Sequence, residues 1–155
     1  MSSSALPYAE GDAFLVPLKS GGYARGVVAR AAPKGKVLFG YFFGPLVPSV
    51  DSATLSDLAP SQSILRIRFG DLGLLNGSWP IYGKVPHWDR TEWPMPPFVR
   101  KDSLGRKLPK LVRYSDDDPR HVEAEQVASD VAGLGPDSLS GYGAVEIKLS
   151  KLLGR

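Results

Sequence analysis

Three apolar runs lie end to end near the start of the chain: Gly11-Asp-Ala-Phe-Leu-Val-Pro-Leu18, Gly22-Tyr-Ala-Arg-Gly-Val-Val-Ala-Arg30 and Val37-Leu-Phe-Gly-Tyr-Phe-Phe43. The breaks between them are Lys19-Ser-Gly-Gly22 and Ala32-Pro-Lys-Gly35. Glycine reaches positive φ without steric cost and proline presets φ, so both breaks carry the chemistry of hairpin turns. The pattern predicts a three-stranded antiparallel meander. Phe14, Phe39, Tyr41 and Phe43 sit in strands that are apolar on both faces, and they are expected in the core.

Beyond the meander, Gly44-Pro-Leu-Val-Pro48 breaks the pattern, and Asp51 or Ser52 is placed to cap a short helix ending near Leu58. Ile64, Ile67 and Phe69, with Arg66 and Arg68 between them, read as a half-buried strand. The stretch 70–77 reads as a loop closed by the Asn76-Gly77 turn signal. Trp79-Pro-Ile-Tyr-Gly83 is compatible with an edge strand, where proline is tolerated. Pro80, Pro86, Pro94, Pro96 and Pro97 share the following span with all three tryptophans, Trp79, Trp88 and Trp93. That density of proline predicts an extended, stiff loop pinned by aromatic side chains.

Phe98–Lys101 and Lys107–Tyr114, joined across Asp102-Ser-Leu-Gly105, suggest a further hairpin. The stretch 119–132 satisfies both a helical face (Ala124, Val127, Ala128, Val131) and a strand alternation (Val122, Ala124, Gln126), and both readings stand. The segment Ala144–Leu153 predicts a helix with Val145, Leu149, Leu152 and Leu153 on one face. At 155 residues the chain is expected to form one domain over 11–155 behind a flexible polar tail at 1–10. The fold class expected is α+β and β-dominated: a strongly bent antiparallel sheet or partly open barrel with two or three short helices.

The chemical inventory is thin. The chain has no cysteine, which excludes disulfides, thiolate nucleophiles and Cys-ligated metals. His87 and His121 are far apart and lack the paired spacing of a metal site. Gly21-Gly-Tyr-Ala-Arg-Gly26 has glycines but leads into a strand and lacks the lysine of a phosphate loop. Asp89 and Glu92 are separated by Arg90, and Asp116-Asp-Asp118 lacks the alternation that lets carboxylates converge on a cation. No catalytic set, cofactor site or metal site is expected. No apolar run approaches the roughly 20 residues that cross a bilayer, and the first ten residues lack the pattern of a secretory signal. A cytoplasmic location is the expectation.

Net charge is +3, but its distribution is uneven. Arg100, Lys101, Arg106, Lys107, Lys110 and Arg113 face only Asp102 over 98–114, a local +5. Asp116, Asp117, Asp118, Glu123, Glu125 and Asp130 face only Arg120 over 115–130, a local −5. These blocks are either neighbouring solvated charges that pair or a patch for a partner of opposite sign. A basic hairpin is also the minimum of a nucleic-acid surface. In the proline loop, Trp88, Arg90 and Trp93 are either interface anchors or a cover for the sheet.

Resemblance selects among these. The ordered series Gly11-Asp12, Phe14, Pro17-Leu18, Tyr23, Gly26-Val27, Gly40-Tyr41-Phe42, Phe69-Gly-Asp-Leu-Gly-Leu74, Gly77-Ser-Trp-Pro-Ile-Tyr-Gly83, Trp93-Pro-Met-Pro-Pro-Phe98 and Gly143-Ala-Val-Glu-Ile-Lys-Leu149 resembles the immunity protein 26 family. The resemblance implies a non-catalytic bacterial protein that binds a polymorphic toxin domain without a cofactor, and it makes Trp79 and Trp93 core anchors. It offers no catalytic residue to carry over. A monomer with no membrane partner is expected, and the alternative reading is a small β-barrel nucleic-acid-binding module that uses the basic hairpin. Inhibitors of basic nucleases are commonly acidic, and this chain is not. Either the toxin is not a basic nuclease or the inhibitor uses a local acidic patch, and the expected partner face is built from Asp116, Asp117, Asp118, Glu123, Glu125, Trp88 and Arg90.

Overall fold

Strands β1 (Asp12–Pro17), β2 (Tyr23–Ala31) and β3 (Val37–Val47) form the antiparallel meander that the N-terminal pattern predicts. A computed structural model of the chain describes residues 6–153. Residues 1–5 of the expected tail lie outside the described residues, and within 6–10 the chain packs against the body. Tyr8 is buried and its hydroxyl donates to Asp71 at 2.8 Å.

The meander is the centre of a six-stranded sheet. β4 (Leu65–Gly70) pairs with β3, and β5 (Ile81–Lys84) pairs with β1 as the edge strand read from the sequence. A two-residue β9 (Leu139–Ser140) adds parallel to β4, the one departure from an antiparallel sheet. A second, three-stranded sheet consists of β6 (Phe98–Arg100), β7 (Lys110–Ser115) and β8 (Asp118–Val127). The segment with two readings is thus a strand: β8 takes its backbone partners from β7. The large sheet has two ends and does not close into a barrel.

Period-two alternation sorts the central strands onto two cores. Phe14, Val28, Leu38 and Phe42 face one side with Phe69 and Trp79; Val27, Ala29, Phe39, Tyr41 and Phe43 face the other with Trp93 and Phe98. The first core is capped by α1 (Leu72–Leu75) and α2 (Tyr142–Leu152), through Leu74, Val145 and Leu149. The proline loop and the small sheet cap the second. Both faces of the central strands are therefore dry, which is why their sequence shows no polar parity. Each large side chain so buried contributes about 1.5–3 kcal/mol. Gly26 makes room for this packing: a Cβ there would sit 2.5 Å from the Phe14 ring, which stacks on Trp79 at 5.6 Å.

Two expectations give way locally. The helix expected from Asp51 to Leu58 is one 3-10 turn over Val50–Ser52. The carbonyls that would continue it are taken from outside. Arg25 donates to Thr54 at 3.3 Å and to Ser56 at 2.6 Å, and Tyr82 donates to Thr54 at 2.8 Å. The expected loop at 70–77 instead contains the single turn α1, closed by Leu75 and Asn76 donating to the Asp71 and Leu72 carbonyls, with Gly73 close against the Trp79 indole. The C-terminal helix forms as read, except that Leu152 is exposed in its last turn.

Candidate functional site

The proline loop is pinned as its composition predicts. Trp93 is buried and packs edge-on against Tyr41 at 5.1 Å and Phe43 at 6.1 Å. The Tyr41 hydroxyl donates to the Pro94 carbonyl. Trp88 leans on Trp93 at 5.4 Å and covers Gly11 so closely that a Cβ there would meet its ring at 2.8 Å. Trp88 is half-buried. Of the two readings of these tryptophans, cover for the sheet holds for Trp93 entirely and for Trp88 in part.

Between them, Asp89 accepts from the Thr91 backbone at 3.0 Å and starts a 3-10 turn at Arg90–Glu92 that presents Arg90. The Arg90 guanidinium clasps Glu10 through two bonds, of 2.9 and 3.0 Å, and donates to the Asp116 carbonyl at 2.8 Å. It also lies 3.6 Å from the Asp117 carboxylate. The Glu10 hydrogen bonds raise the affinity of this guanidinium for its proton. Beneath it, Arg30 is almost fully buried and reaches Asp116 at 3.2 Å and the Arg90 carbonyl at 3.2 Å. One corner thus gathers the N-terminal segment, the proline loop, β2 and the β7–β8 turn.

The residues expected at the partner face divide accordingly. Trp88, Arg90, Asp116 and Asp117 meet at this corner, with Asp117 the most exposed, at 91% of its side chain. Asp118 turns aside to Arg120, whose side-chain and backbone hydrogen bonds hold the carboxyl below the usual range. Glu123 is exposed along β8. Glu125 is at the far end of β8, 3.4 Å from Arg100 and 3.8 Å from Lys110. The acidic run of the sequence is therefore split: Asp116 and Asp117 lie by Arg30 and Arg90, Asp118 pairs with Arg120, and Glu125 pairs with Arg100 and Lys110.

Sequence reasoning missed the most connected carboxylate, Asp137. It accepts from Arg68 at 3.2 Å and Arg100 at 2.9 Å, and from the Tyr114 hydroxyl. Burial pushes its pKa up, but the bonds from Tyr114 and Arg100 and the charges of Arg100 and Arg68 bring it below the usual range. Arg68 also lies 3.8 Å over the Tyr114 ring. The only hint in the sequence was an arginine in a strand whose neighbours are apolar. Asp137 itself sits in a turn-like context that gives no hint.

Both histidines lie at the surface. Among the described residues no three His, Asp or Glu side chains are gathered so as to hold a metal ion, and no helix is long and apolar enough to cross a membrane.

A β-dominated α+β protein, layered helix on sheet on small sheet and fastened by arginine–carboxylate clasps, is the class these features define. The family model described as Immunity protein 26 matches residues 9–108, from the approach to β1 through the β6–β7 loop, and the chain belongs to that family. The resemblance read at Gly143–Leu149 lies outside the matched span. No curated protein and no solved structure matches the chain.

Proposed function

We propose that the chain is an immunity protein that neutralises one bacterial toxin domain by covering its working surface, acting as a cytoplasmic monomer and transforming no substrate. Family membership over residues 9–108 carries the reading, because it implies a toxin as partner. The architecture supports it. A sheet with two dry faces and a proline loop fixed by Trp93 form a stiff body, which loses little conformational entropy on docking.

The proposed contact surface starts at the corner of Trp88, Arg90, Asp116 and Asp117 and runs along β8 through Glu123 to Glu125. At about 3.3 Å per residue the ten residues of β8 extend about 30 Å, the width of a standard interface of about 800 Å² per partner. β8 pairs only with β7, so one edge faces away from the sheet.

Calorimetric titration of the purified chain into the toxin domain encoded at the same locus tests the reading, together with a toxin activity assay. The expected result is a stoichiometric complex without toxin activity, from which toxin of unchanged mass and full activity is recovered on dissociation. Absence of binding at micromolar concentration, or recovery of chemically altered toxin, overturns it.

A further inference from the structure

The two ends of the three-stranded sheet are unlike. At one end the β7–β8 turn is held against the body by Arg30 and Arg90. At the other, the β6–β7 loop (101–109) projects with little engagement. Lys101, Arg106, Lys107 and Arg113 make no ion pair among the described residues, whereas Arg100 and Lys110 are tied to Glu125. Leu104 is 69% exposed and Leu108 58%, with Val127 also exposed beside Lys110.

The loop nevertheless has hydrogen bonds of its own. Asp102 accepts from the backbone of Arg106 at 2.8 Å and of Lys107 at 3.2 Å, and Gly105 closes the turn with φ +67°. Its single carboxylate is thus turned inward on the loop's own backbone and leaves the cations unanswered. Lys101, Lys107, Leu108 and Lys110 line a groove of about 350 Å³ on one side of this loop.

We infer that this leucine-tipped basic loop docks an acidic, partly apolar patch of the toxin, beyond the region that meets the β8 carboxylates. The inference rests on the proposed function. Unpaired cations beside exposed leucines fit a protein surface that supplies carboxylates around an apolar patch. A single-stranded nucleic acid calls for stacking platforms, and the large apolar side chains exposed here are all aliphatic. The loop also accounts for the net charge of +3: the chain presents its excess cations where the partner is acidic.

The test compares the intact chain with Lys101→Glu/Arg106→Glu/Lys107→Glu and with Leu104→Ser/Leu108→Ser. Each is titrated into the toxin domain at two salt concentrations, and separately into a 20-nucleotide single-stranded RNA and phosphatidylserine vesicles. All substituted positions are exposed, and an unchanged melting temperature verifies folding. Charge reversal is expected to weaken toxin binding about tenfold or more, with a flatter salt dependence. The serine pair is expected to weaken it with the salt dependence intact. Toxin binding by both variants equal to that of the intact chain overturns the inference and leaves the proposed function standing. RNA or vesicle binding that the charge reversal abolishes, with toxin binding unchanged, also overturns it. A chain that fails to bind toxin at all removes the proposed function and the inference together.

Discussion

The guanidinium of Arg68 on β4 lies 3.2 Å from the carboxylate of Asp137, with side chains only 9% and 5% exposed. This contact fastens the large sheet to the segment after β8. Through Arg100 and Tyr114 on the same carboxylate it fastens the small sheet as well. Breaking a buried pair by removing one charge leaves the other uncompensated. Asp137→Asn is therefore expected to lower stability by about 3 kcal/mol in urea denaturation. Arg120→Ala, which breaks the exposed pair with Asp118, is expected to change it by less than about 0.5 kcal/mol.

Acid acts on the same contact. Folding lowers the Asp137 pKa, so its contribution is complete above the unfolded value of about 3.9 and is lost as pH falls through the folded value. The melting temperature is expected to drop as pH falls below about 4, and Asp137→Asn is expected to flatten that part of the curve. A variant with the same acid slope as the intact chain counts against this assignment.

Alkali acts on Tyr8. Burial first, and then the hydrogen bond and charge of Asp71, raise its pKa above the ordinary value. A raised pKa contributes stability below the unfolded value of about 10 and loses it as pH rises further. Burial raises the phenols of Tyr41, Tyr82 and Tyr114 in the same direction. Tyr8→Phe is expected to lower stability at pH 7 by about 1 kcal/mol and to soften the decline above pH 10, both measured by denaturant titration.

Gly26 and Phe14 compete for one volume. Gly26→Ala is expected to cost about 2 kcal/mol, since its Cβ must displace a ring with no exposed surface. Combining it with Phe14→Leu is expected to cost less than the sum of the two single changes, and a double-mutant cycle measures the difference.

The two loop tryptophans are expected to separate in the same assay. Trp93→Ala empties a site between Tyr41, Phe43 and Trp88 and is expected to cost about 4 kcal/mol. Trp88→Ala, at a half-buried site, is expected to cost less. Similar losses for both would contradict the burial difference.

Much of the candidate site was legible as a list of residues and illegible as an arrangement. Asp116 and Asp117 do reach Arg90, 26 positions away for the Asp116 carbonyl, as a shared patch requires. Asp118 and Glu125 are their neighbours in sequence, yet each answers a different cation, Arg120 or Arg100. Glu10 falls within the polar stretch 1–10 that reads as a tail. Its partner is 80 positions away.

The meander, the turns between its strands, the aromatic core and the stiff proline loop follow from the order of residues alone. Each follows from short-range physics: glycine and proline restrict the backbone locally, and two apolar parities in one strand demand cover on both faces. Contacts between distant segments make 118–127 a strand, keep 51–58 from forming a helix, and let Asp137 join two sheets. In these cases the deciding partner is distant: the backbone of β7 for the first, the Arg25 guanidinium for the second, Arg68 for the third. Local preference is balanced only over 119–132, and in all three cases a long-range hydrogen bond decides.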